Sequence, residues 1–169
     1  MRVLGIDPGS RITGLGVVDD NGDGLQHLFH ESFRLPKAAL PDRLGLIYRR
    51  AAEVIKAYSP DVVAVEQVFV ATNAKAALTL GQARGSAVCA AVNNGREVSE
   101  YSALQIKRAV VGTGGASKEQ VQHMVRVLLG MRTHVPSDAA DALACAICHI
   151  HTAQVESRLQ KASARMSSC

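Results

Sequence analysis

The chain is 169 residues long, 47% hydrophobic and formally +4 at neutral pH. That suits one domain with one substantial core, and a mild basic excess is compatible with a polyanionic partner without requiring one. No run of about 18 apolar residues is present, so no membrane partner is expected, and the start lacks the apolar core of a secretory signal, which points to the cytoplasm.

Residues 3–6 form an apolar strand that delivers Asp7 straight into a turn of Pro8, Gly9 and Ser10. Residues 13–18 form a second strand, and the Asp20-Asn21-Gly22 turn leads to a third over 25–33. Short turns between three strands predict an antiparallel meander. Pro36 and Pro41 bracket a loop. Leu44, Ile47, Ala51, Val54, Ile55 and Tyr58 then recur at helical spacing, and Ser59-Pro60 stops that helix. Residues 61–66 are a short strand whose apolar run suits burial on both faces; it closes on Glu66. Residues 73–92 predict a long helix and 97–101 a last strand. Ser117 and Gln120 make a capping box, followed by the stripe Val121, Met124, Val125, Leu128 and Leu129. A final helix runs from Asp138 to about residue 151. Residues 152–169 are polar and weakly basic and predict a flexible tail, which leaves 1–151 as the domain. The order βββαβαβαα makes this an α/β protein, with a mixed five-stranded sheet flanked by helices.

Four cysteines, Cys89, Cys145, Cys148 and Cys169, read as reduced thiols rather than a disulfide frame. Cys145 and Cys148 have redox spacing, but they fall inside a helix rather than at its start. Residues 19–24 begin like a calcium loop, yet the twelfth position is His30 and strands flank it. Residues 112–118 are glycine-rich without phosphate-loop spacing; they read as a flexible glycine loop before a helix whose N-terminus suits an anion.

The informative residues are acids. Asp7 and Glu66 both end apolar strands, where an unpaired carboxylate is costly. Asp138 and Asp141 lie three apart in the first turn of a helix, so they share a face. Asp138 alone reads as a favourable first-turn charge, and Asp7 alone as a turn former. Neither reading explains why strand ends and a helix start all carry acids. If the strands ending in Asp7 and Glu66 run parallel, their carboxylates meet at one edge and repel unless a cation neutralises them. Oxygen-only donors point to Mg²⁺ or Mn²⁺. Two such ions, about 3.5–4 Å apart, support phosphodiester cleavage. Between Glu66 and Glu97 there is no acid, while Lys75, Arg84 and Arg96 lie there and Lys107, Arg108 and Lys118 follow.

Four motifs in order resemble the RuvC family of Holliday-junction resolvases: Gly5-Ile6-Asp7-Pro8-Gly9-Ser10, Val65-Glu66-Gln67-Val68-Phe69, Leu80-Gly81-Gln82-Ala83-Arg84-Gly85, and Asp138-Ala139-Ala140-Asp141-Ala142-Leu143. The resemblance runs from Arg2 to about residue 151. It implies an RNase H-like fold and a homodimer that nicks two opposed strands of a four-way DNA junction. It places the catalytic, metal-holding acids on Asp7, Glu66, Asp138 and Asp141, with two Mg²⁺ ions per site once DNA is bound and Mn²⁺ as a substitute. It further implies 5′-phosphate and 3′-hydroxyl ends, a preference for thymine-containing sites, and a RuvA–RuvB branch-migration motor as partner. DNA contacts fall by resemblance on Phe69, Lys107, Lys118 and Arg84. Phe69 is a core residue of its loop or a platform for an unpaired base. Lys107 and Lys118 are solvated lysines or phosphate contacts. Thr72 stands where many relatives carry a basic residue, removing one phosphate contact. Gly81 and Gly85, each costing roughly 1 kcal/mol against alanine in a helix, share one face. That face packs on the protein's own sheet or makes a two-fold contact between subunits.

Overall fold

The computed structural model describes residues 1–67 and 73–166. Phe69 and Thr72 lie outside the described residues. β1 (Arg2–Asp7) and β2 (Ile12–Asp20) pair antiparallel, with Gly5 opposite Gly16 and Asp7 opposite Gly14. β3 (Leu25–Arg34) continues the meander, with an irregularity at Val17 and Val18. β4 (Val62–Glu66) lies parallel to β1 on its other side, and β5 (Glu97–Tyr101) parallel to β4. The sheet order is β3-β2-β1-β4-β5, the mixed five-stranded sheet the sequence predicts.

Side chains alternate across a strand, and β1 divides its residues between two cores. Leu4 and Ile6 join Val63 and Val65 of β4 in the core under α1 (Leu40–Tyr58) and α2 (Ala74–Asn93). Val3 and Ala64 point the other way, into the core made with α3 (Ala103–Val111), α4 (Lys118–Leu128) and α5 (Ser137–Met166). By the same alternation Gly5 and Asp7, and Glu66 on β4, belong to the α5 side.

Helix α5 comes unusually close to the sheet, and three glycines permit it. A Cβ on Gly5 would lie 1.9 Å from the Ala142 carbonyl oxygen, and one on Gly14 would lie 1.9 Å from the Asp138 carbonyl oxygen. At Gly16 it would strike the Leu143 side chain at 2.7 Å. The facing helix supplies buried small residues, Ala139, Ala142 and Ala146 among them. Backbone against backbone thus fixes the height of α5 over the end of β1. Gly5→Ala and Gly14→Ala should each destabilise the fold by about 2–3 kcal/mol, since the obstacle is backbone and cannot swing aside. The shift of the urea midpoint measures this.

Three elements differ from the sequence-based expectation. Helix α1 begins at Leu40, so Pro41 sits in its first turn rather than bracketing a loop; the missing N–H has no intrahelical partner to lose there. Helix α3 was not expected at all, although Ser102 and Gln105 form a complete capping box like that of Ser117 and Gln120. Its nine residues are too short for a convincing periodic stripe. Finally, α5 does not stop near residue 151 to leave a loose tail from 152; it runs to Met166. Residues 152–166 contain no Gly or Pro and are rich in good helix formers. Gln154 anchors the extension by donating to Asp20 Oδ2 at 2.8 Å.

Candidate active site

The parallel pairing of Ile6 with Val65 puts the next residues, Asp7 and Glu66, side by side at the same end of the sheet. The start of α5 lies over that end because Asp138 packs on Gly14, which faces Asp7 across β1 and β2. The result is a pocket of about 380 Å³ lined by Asp7, Glu66 and Asp141, with Lys107 from α3 and Lys118 from α4. Ile106, Val121 and Ala144 make its apolar wall. Asp138 stands beside the pocket and receives a long hydrogen bond, 3.4 Å, from Ser32 Oγ on β3. The turn after Asp7 is tight in its own right: a Cβ on Gly9 would lie 1.9 Å from the Ile12 carbonyl oxygen. Buried Thr13 donates to the Gly9 carbonyl at 3.1 Å.

Charge has accumulated here without full compensation. Burial, then the neighbouring charges of Asp141, Glu66 and Asp138, push the Asp7 carboxyl up to about 7, with Lys118 opposing. Burial and Asp141 raise Glu66 as well, against the pull of Lys118 and Lys107. Asp141 is raised chiefly by burial, although Lys118 Nζ lies 2.7 Å from its Oδ2. For Lys118 burial works downward, yet the bond to Asp141 and the other acids carry its ammonium pKa upward. Four carboxylates therefore face two ammonium groups.

Among the described residues, no three His, Cys, Asp or Glu side chains stand as a ready-made ligand shell. The donor chemistry nonetheless fits a hard divalent cation: all oxygen, all anionic, with a negative excess that a double positive charge would balance. Lys118 already serves Asp141 as counter-ion.

The other sequence candidates divide. Lys107 and Lys118 join the acids in the pocket. Arg84 does not: it pairs with Glu100 of β5, away from the pocket lining. Gly81 and Gly85 do not pack on the sheet, since a Cβ on either would meet nothing within 4 Å. The sequence reading missed the α3 wall and Ser32; the capping box at Ser102 was the available signal for the first, and Ser32 had none.

An RNase H-like sheet with acids converging at the shared end of its two parallel neighbours defines a class of metal-dependent phosphodiester hydrolases. The comparisons agree and are narrower. The family described as crossover junction endodeoxyribonuclease RuvC matches residues 3–149. The RuvC of Trichlorobacter lovleyi is 56% identical over 161 residues, covering 95% of this chain and 89% of its own. That of Alkalilimnicola ehrlichii is 50% identical over 163 residues, covering 96% and 99%. Thermus thermophilus RuvC, solved in complex with a Holliday junction substrate, superposes with a TM-score of 0.87 at 38% identity, covering 92% of this chain and 96% of that one. The chain belongs to the RuvC family of crossover junction endodeoxyribonucleases.

Proposed function

We propose that this chain resolves four-way DNA junctions by paired, symmetric, metal-dependent phosphodiester hydrolysis, in homologous recombination and DNA repair. The products are ligatable nicks with 5′-phosphate and 3′-hydroxyl ends. The observation that carries the reading is the convergence of acids from three separate segments, β1, β4 and α5, around one basic-rimmed pocket. Family membership supports the junction as substrate, because a Thermus thermophilus relative has been solved on one.

Asp7, Glu66, Asp138 and Asp141 are the residues that would hold the metal, Mg²⁺ by preference. When bound, that metal supplies an activated water and a counter-charge for the leaving 3′ oxygen. The strands hold Asp7 and Glu66 at fixed positions, so little ordering remains to be done when substrate arrives. Lys107 and Lys118 offer ammonium groups to the phosphate that enters between them. Lys118, which pairs with Asp141 in this structure, is placed to donate to a phosphate oxygen, and Asp141 would then be free to help hold the metal. The apolar wall of Ile106, Val121 and Ala144 limits water on that side. A mobile four-way junction should be incised in Mg²⁺ far faster than linear duplex of the same sequence, and not at all in chelator. Equal incision of both would leave only a general nuclease.

The same reading includes a homodimer. The outward glycines of α2 let another backbone approach closely, and Leu78 and Val92 on that helix are 71% and 59% exposed. A two-fold contact here would offer two pockets to a roughly two-fold junction. Gly85→Arg should convert the protein to monomer by sedimentation and turn paired cuts into unpaired single nicks. A dimer that survives this change would move the interface elsewhere. The RuvA–RuvB branch-migration motor is the further partner this reading carries.

A further inference from the structure

We propose that Arg11, Arg34, Lys37 and Arg43 form a second DNA-phosphate ledge, which grips the strand flanking the acidic pocket. The proposal rests on the nuclease reading above and extends its substrate contact to a surface outside that pocket.

These four cations line a groove of about 440 Å³ together with Leu35, Pro36 and Ala38, and no acidic side chain lines it. Arg11, Arg34 and Lys37 are exposed. Among the described residues, none of the four takes part in an ion pair. Among the described residues Arg2, Arg50, Arg84 and Lys118 are the Lys and Arg side chains with acidic partners, so what sets these four apart is their convergence on one groove without an acid in its lining. Asp42, in the first turn of α1, is the nearest acid in sequence and lies outside the groove lining. Arg43 is only partly exposed, and its buried Nε has no hydrogen-bond partner. A patch of like charge held together without counter-ions is a place prepared for an anion.

The groove is built rather than floppy. Arg43 Nη1 donates to the Ser10 carbonyl at 2.8 Å, which ties α1 to the turn that follows Asp7. The Leu35 amide donates to the Arg11 carbonyl at 2.8 Å, joining the two loops that carry the cations. Leu35 itself is buried beneath them.

Position decides the ligand. Arg34 pairs in register with Ile12, at the end of the sheet where Asp7 and Glu66 also lie. β3 is two strands from β1, about 10 Å across the sheet, and Arg34 lies two residues, about 7 Å, beyond the Ser32 that faces Gly14. A DNA strand advances about 3.4 Å per nucleotide along its axis, so a backbone that is cut at Asp7 and continues toward β3 reaches this ledge within a few nucleotides. Arginine forks suit phosphate oxygens, and such contacts fix register without reading sequence.

The test is equilibrium binding of the full-length chain to a four-way junction in chelator, across a range of NaCl. Arg34→Ala/Lys37→Ala should weaken binding at least about tenfold near 100 mM salt. It should also reduce the slope of log K against log salt by close to two, at about 0.9 per duplex phosphate contact. Arg34→Lys/Lys37→Arg, which keeps both charges, should retain the slope. Unchanged affinity and slope in the alanine variant would overturn the ledge. So would weaker binding with an unchanged slope, which would mean damage to the fold rather than loss of phosphate contacts. A wild-type chain that bound no junction would overturn the nuclease reading itself, and the ledge with it.

Discussion

Asp7→Asn and Glu66→Gln should each slow junction cleavage in Mg²⁺ by at least about a thousandfold, roughly 4 kcal/mol of barrier. Both changes keep the size and shape of the side chain and remove only its charge. They therefore leave the packing of β1 and β4 untouched while taking one anionic donor from any metal that binds there. DNA affinity should stay the same or rise, because a negative charge has been removed from beside the phosphate and the pocket lysines remain. Single-turnover cleavage and chelator-equilibrated binding, measured on the same junction, separate the two effects. Cleavage at the wild-type rate by either variant would mean that these acids are not the seat of the chemistry. A parallel loss of cleavage and binding would mean that the change had damaged the fold instead.

The legible part of this protein was the part with a short-range signature. Strand ends carrying acids, the alternation of β1 and two acids three residues apart at the start of α5 are local patterns, although α5 begins at Ser137 and only Asp138 falls in its first turn. Together with a parallel β1–β4 pairing, they suffice to bring Asp7, Glu66 and Asp141 to one place. The closeness of α5 to the sheet was not legible, although its cause is written at Gly5, Gly14 and Gly16. A glycine in a strand announces a close approach without naming the partner, and Ala142 and Asp138 are more than 120 residues away in sequence. Helix α3 was missed because a nine-residue helix between a strand and a glycine loop shows little periodicity, even with a good cap. The α5 extension is hard to read for the opposite reason: polar composition suggests a frayed tail, where propensity and one hydrogen bond from Gln154 carry the helix onward. Arg84 was placed near DNA on its charge and motif, and its pairing with Glu100 is a contact that only the fold reveals. The groove around Arg34 is not legible in sequence because its cations come from the turn after β1, the end of β3, the loop that follows it and α1, which no run of sequence brings together.

Without divalent ions, Asp7→Asn should also make the protein more stable at neutral and alkaline pH. The Asp7 carboxyl is raised from 3.8 to about 7 in the folded chain, first by burial and then by the acids around it. A group whose folded value lies above its unfolded value binds more protons when folded. Its stabilising contribution is complete below about 3.8 and is lost as pH rises through about 7. Above that range the folded state must hold a charge that water would hold more cheaply, at a cost of up to about 4 kcal/mol at 1.36 kcal/mol for each pH unit. Asparagine does not titrate, so the stability gap between variant and wild type should widen by roughly 2–3 kcal/mol from pH 5 to pH 8. Urea denaturation in chelator measures that gap directly. Millimolar Mg²⁺ should then narrow it, because an ion that binds only the folded wild-type site returns stability through mass action, while the variant has lost one of the charges that attract it. Parallel pH profiles for the two proteins would show that the acids around Asp7 impose no electrostatic strain, and a gap indifferent to Mg²⁺ would show that they await no cation.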